Sequence, residues 1–133
     1  ADTTDVAVIA LVDAQGRAGC TATVLAPHNA ITAAHCVYDL DPRMLRAFFG
    51  DSLAAGGTFD RVSDARTDPM FDPTTLARDV ALITLRDPSP APARDLDPGP
   101  LDASLVGASI GVVGYGTTGT GPDDGGVRRA GIA

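Results

Sequence analysis

Apolar and β-branched residues come in short runs along the chain, each broken by Gly, Pro or Asp. The runs are "VAVIALV" (6–12), "CTATVL" (20–25), "AIT" (30–32), "LRAFFG" (45–50), "TFDRVSD" (58–64) and "VALITL" (80–85). Almost no stretch shows a helical period. Short strands with turn signals between them predict an all-β barrel or sandwich. Six strands before residue 88 suffice for one small closed barrel.

The pattern then changes. "DPSPAPARDLDPGP" (87–100) holds five of the ten prolines, which cannot donate to a strand ladder and which stiffen an extended connector. Beyond it, "IGVVGYG" (110–116) and "VRRAGIA" (127–133) predict another strand pair, joined by the Gly- and Asp-rich "TTGTGPDDGG". An isolated hairpin is marginal in water, so this pair wants a sheet that the first six strands have already closed. The expected organisation is a barrel over residues 1–87, a Pro-rich linker over 88–105, and over 106–133 the first hairpin of a second, incomplete barrel.

Composition narrows the function classes. The 133 residues are 44% hydrophobic, enough for one packed core and well above a disordered segment. No apolar run approaches bilayer length, so no membrane partner is expected. All 17 acidic residues are Asp and all ten basic residues are Arg, giving a net charge of −7. Phosphates would be repelled and no basic stripe offsets this, which argues against nucleic acid as a partner. No signal peptide is readable at the start of the chain.

The candidate chemistry centres on one histidine. Cys20 and Cys36 are the two cysteines, and their spacing leaves open a disulfide, two unrelated thiols or half a metal site. The metal reading is disfavoured, because only His28 and His35 are at hand and structural zinc sites want four Cys or His ligands. His28, between Pro27 and Asn29, reads as a surface turn residue. A histidine base needs one ring nitrogen free and the other held by a carboxylate that fixes the tautomer. "ITAAHC" (31–36) and "RDVALITL" (78–85) offer such a pair.

Taken together, "GCTATVLAPHNAITAAHC", "RDVALITL" and "VVGYG" (112–116) resemble, in order, conserved-type segments of the trypsin/chymotrypsin family of serine endopeptidases. The resemblance implies a six-stranded antiparallel Greek-key barrel plus the opening of a second barrel. It implies His35 as general base, Asp79 as its orienting carboxylate, and a Cys20–Cys36 disulfide beside them, which in turn implies a secreted or otherwise extracytoplasmic protein. The loop "TDPMFDPTTLARD" (67–79) would border a groove for a protein or peptide substrate. No metal or organic cofactor is implied.

"GDS" (50–52) looks like the tripeptide that contains the family's nucleophile, but it precedes Asp79 and lacks the Gly-Gly that would follow and form an oxyanion hole. Ser52 is therefore expected to be a turn residue. The nucleophile, the oxyanion hole, the specificity pocket and the family's "IVGG"-type N-terminus are expected to lie outside this sequence, with the C-terminal portion of the same protease as the natural partner. The rival readings are an inactive homologue acting as a protein-binding module, and a free-standing barrel that only binds a partner.

Overall fold

The computed structural model describes residues 1–121 and 123–133. Eight strands form among them: β1 (Val8–Val12), β2 (Ala18–Ala26), β3 (Asn29–Thr32), β4 (Arg46–Phe49), β5 (Thr58–Thr67), β6 (Ala81–Leu85), β7 (Gly111–Gly114) and β8 (Arg129–Ile132). The first six close into an antiparallel barrel in the order β1-β2-β3-β6-β5-β4, and β7 and β8 make a separate two-stranded sheet. The closing seam pairs β1 with β4, Leu11 opposite Ala47.

Alternation along each strand selects what enters the barrel. Ile9, Leu11, Val24, Ala30, Ala47, Phe49, Val62, Ile83 and Leu85 fill one interior core. Complete burial of a large aliphatic or aromatic side chain contributes about 1.5–3 kcal/mol. The intervening residues of β1, Ala10 and Val12, are buried too, in a second cluster with Phe48 and Tyr115 on the outside of the barrel. This explains the unbroken run "VAVIALV": a strand covered on both faces has no reason to alternate.

What covers the outer face is the segment that carries β7 and β8, and it is fastened by two polar side chains. Tyr115 is buried, its hydroxyl donating to the Gly50 carbonyl at 2.5 Å and its amide to Thr21 Oγ1 at 3.1 Å. Arg128 is 1% exposed. Its guanidinium donates to the carbonyls of Asp2 (3.0 Å) and Val8 (3.3 Å), pairs with the Asp51 carboxylate, and has Asp2 Oδ2 at 3.8 Å. A guanidinium this deep is tolerable only because its donors are met by carbonyls and carboxylates.

Several boundaries differ from the pattern-based expectation, each for a local reason. β8 starts at Arg129 rather than residue 127, because residues 126–128 bond instead to the β4–β5 turn: Leu53 N–H donates to Gly126 O and Arg128 N–H to Asp51 O. β5 runs on to Thr67, with a register shift between Val62 and Asp64 that lets it stay paired to β6. The Pro-rich stretch makes backbone bonds to the barrel. Ser89 N–H donates to Pro27 O and Arg94 N–H to Val24 O, so its first part lies against the β2–β3 turn. Further on, Asp102 caps a short 3-10 turn at Ala103–Leu105. Pro122 of the connector between β7 and β8 lies outside the described residues.

The turn from β4 to β5 is built around the Phe48 ring. A Cβ on Gly50 would stand 2.6 Å from Phe48 Cζ, and one on Gly57 2.7 Å from Phe48 Cε2 with the Phe49 carbonyl closer still. Phe48 in turn packs edge-on against Tyr115, ring centroids 6.3 Å apart. Gly57→Ala is therefore expected to destabilise the fold by about 1–3 kcal/mol through overpacking. A midpoint of chemical unfolding equal to that of the parent would contradict this.

Candidate active site

The site grows from the end of β3. Thr32 is anchored by its hydroxyl to the Thr21 carbonyl at 2.8 Å, and Ala33 remains extended. Ala34, with no exposed surface, plugs the core and starts a 3-10 turn over Ala34–Cys36. First-turn amides have no partner within their own turn. The His35 amide finds one in Asp79 Oδ1 at 2.8 Å, while the other carboxylate oxygen, Oδ2, accepts from His35 Nδ1 at 2.7 Å. One carboxylate thus holds both the backbone and the ring of the same residue.

Asp79 is placed by the antiparallel pairing of β3 with β6, Thr32 opposite Ala81. The loop leading to it is tightly folded on its own side chains. Asp68 accepts from Met70 N–H and Asp72 from Thr74 N–H, each at 2.8 Å. Leu76 and Arg78 both have positive φ, 57° and 56°. For residues with a Cβ this conformation is strained, and it persists where surroundings over-determine it. Here the Arg78–Asp68 ion pair (3.4 Å) and the Asp68 N–H to Val80 O bond hold the last turn before Asp79. Phe71 of this loop meets Tyr38 edge-on at 5.4 Å, joining it to the segment that follows His35.

The hydrogen bonds from His35 hold the Asp79 carboxyl below the usual carboxylate range, the imidazole contact first and the backbone amide second. With Nδ1–H donated to a carboxylate, the lone pair of the neutral ring sits on Nε2. The His35 side chain is 53% exposed. Next to it lies a recess of about 260 Å³ walled by Leu11, Leu40, Leu45 and the cysteines.

Cys20 and Cys36 form a disulfide, joining β2 to the 3-10 turn with their Cα atoms 6.2 Å apart. Cys36 Sγ is 3.6 Å from His35 Nε2. Ser52 is elsewhere, its backbone bridged to Val127. Among the described residues the side-chain contacts of His35 are with Asp79 and Cys36, not with Ser52. His28 is an exposed turn residue whose Nδ1–H donates to the Leu85 carbonyl at 3.1 Å.

Comparison with known proteins agrees with this architecture. The family model described as trypsin matches residues 2–127. The chain belongs to the trypsin family. This trypsin-family chain is 29% identical over 82 residues to a protein named trypsin from Saccharopolyspora erythraea, covering 60% of the chain and 36% of that relative. The VesB protease of Vibrio cholerae superimposes with a TM-score of 0.76 at 22% identity, over 96% of this chain and 40% of the other. The scabies mite inactivated protease paralogue S-D1 gives 0.77 at 18% identity, over 98% of this chain and 57% of the other. At these identities the two structures speak to the fold alone. The chain spans about a third of the curated relative it matches.

Arg78 and Arg128 were not singled out by the sequence pattern. A weak signal existed for Arg128: in a strand-like "VRRAGIA" one of two adjacent arginines must face the sheet it lies on.

Two measurements bear on the site. The Asp79 carboxyl carbon, followed by NMR, should titrate below the ordinary Asp value of about 3.9, and His35→Ala should move its midpoint up. Because the folded pKa is the lower one, the contribution of this pairing to stability is whole above that ordinary value and fades as pH falls through the folded one. An Asp79 midpoint that ignores His35→Ala would refute the coupling. Replacing both cysteines by serine should lower stability by about 3 kcal/mol, the chain-entropy value for a loop of this size, while leaving the far-UV spectrum of the barrel unchanged.

Proposed function

We propose that this chain supplies the histidine and aspartate of a trypsin-like serine endopeptidase. The observation that supports the reading is the double contact from Asp79 to His35: a ring that donates from Nδ1 carries its lone pair on Nε2 when neutral. A serine from outside these 133 residues would attack the carbonyl carbon of a peptide bond and pass its proton to His35 Nε2. His35 would return that proton to the leaving amine as the acyl-enzyme forms, then deprotonate the water that hydrolyses it. Asp79 stabilises the imidazolium that appears in each half. The substrate groove would run along the 67–79 loop. The disulfide and the family membership support an extracytoplasmic location.

A second reading has one observation in its favour: a structure of nearly equal similarity is described as an inactivated protease paralogue. On that reading the barrel and the dyad persist as a scaffold for protein binding.

Labelling with a serine-directed phosphonate followed by peptide mapping separates the readings. The 133-residue chain should hydrolyse no peptide ester above background and take no label, since among the described residues no nucleophile stands at the His35 ring. The parent polypeptide should be labelled at a serine other than Ser52. In it, His35→Ala should reduce turnover by about 10⁴-fold or more. Label on Ser52 would overturn the assignment, and a folded but unlabelled parent would favour the inactive homologue.

A further inference from the structure

The chain gathers three soft or borderline ligand atoms beside the candidate base: Cys20 Sγ, Cys36 Sγ and a ring nitrogen of His35 all lie within 4.8 Å of one another. In the oxidised chain the two sulfurs are bonded to each other and offer no thiolate. We propose that reduction of this disulfide converts the cluster into a binding site for a divalent cation of the zinc type, held by Cys20, Cys36 and His35 Nε2, with a solvent molecule in the fourth position.

The geometry fits the metal. Tetrahedral zinc with Zn–S near 2.3 Å and Zn–N near 2.0–2.1 Å places a sulfur and a nitrogen ligand about 3.6 Å apart and two sulfurs about 3.8 Å apart. Cys36 Sγ and His35 Nε2 already stand at 3.6 Å. With the Cα atoms 6.2 Å apart, the freed sulfurs reach their separation by side-chain rotation. Each ligand element has a fastening besides the disulfide: Cys20 stands opposite Leu11 in the β1–β2 ladder, and the 3-10 turn is held by Asp79 at the His35 amide.

The second feature is the partner of the ligand histidine. A metal-binding imidazole nearly always donates its other N–H to a carboxylate or carbonyl, which fixes the ring and raises its basicity. Asp79 Oδ2 on His35 Nδ1 is that arrangement, already assembled. The exposure of His35 leaves the fourth position open to solvent, and the net charge of −7 favours a cation.

The chemistry balances with an external dithiol. Two electrons and two protons from the dithiol cleave the Cys20–Cys36 bond to two thiols, the reductant closing to its own disulfide, and metal binding then releases both thiol protons to solvent. The bound cation takes the Nε2 lone pair, so the reduced, metal-loaded form has no base to offer. That consequence rests on the proteolytic reading; the binding itself does not.

The test uses the whole chain reduced with a phosphine, desalted anaerobically and titrated with Co²⁺. One equivalent should bind, with thiolate-to-cobalt charge-transfer bands and tetrahedral d–d bands that added Zn²⁺ abolishes. The oxidised chain and the Cys20→Ser/Cys36→Ser variant should show neither set of bands. Asp79→Asn should weaken binding about 10–100-fold, and His35→Ala by more than that. No saturable one-to-one spectrum, or affinity unchanged in His35→Ala, would overturn the proposal. So would loss of the β-sheet circular dichroism on reduction, since the ligands would then be those of an unfolded chain. None of these readouts involves phosphonate labelling, so the metal site and the protease reading fail or survive separately.

Discussion

The pairing of β3 with β6 sets both the barrel and the site. These strands are neighbours in the sheet but not in sequence: everything from the 3-10 turn through β4 and β5 intervenes, and must return the chain to the same edge. Because the two run antiparallel, the end of one lies beside the start of the other. His35 follows β3 and Asp79 precedes β6, so the rung joining Thr32 to Ala81 delivers them to one place without either needing a long or flexible approach. The Asp79 carboxylate then meets an amide that the turn leaves without a partner. Its hold on that amide also fixes its orientation towards the imidazole.

How much of this could be read from the residues depends on whether the information was local. The barrel strands were legible as short apolar and β-branched runs bounded by turn residues; the burial of β1 on both faces was not, because Tyr115, which covers its outer side, comes from far along the chain. "TAAHC" and "RDVALITL" were legible as a unit, each carrying its functional residue at a strand end. That Ser52 stands apart from the candidate histidine was legible from its place before Asp79 and the missing Gly-Gly after it. Contacts between segments far apart in sequence were not legible. Nothing in "DPSPAPAR" signals that its amides will bond to Pro27 and Val24. The positive φ of Arg78 is imposed by the bonds on either side of it, not by a residue type that prefers such a conformation.

The disulfide and the dyad share a neighbourhood for a physical reason. A 3-10 turn of three residues has little stability of its own. This one is held at the His35 amide by Asp79 and at its last residue by Cys20. The imidazole between those two fastenings keeps its orientation although its outer edge is in solvent. Exposure and order, usually opposed in a surface side chain, are compatible here because the restraint is applied from the backbone and from Nδ1.

Arg128 carries a kinetic consequence. Its guanidinium leaves water only when Asp2, Val8 and Asp51 stand ready to receive it, and the contact with Asp2 closes across 126 positions. Loop-closure entropy grows with such separations, and long-range contacts form late for that reason. Docking of the β7–β8 segment therefore needs a barrel surface on which these partners are already placed. On the ribosome the same order is imposed by synthesis, since residue 128 emerges after all six barrel strands, so the sequence presents its fastening only once there is something to fasten.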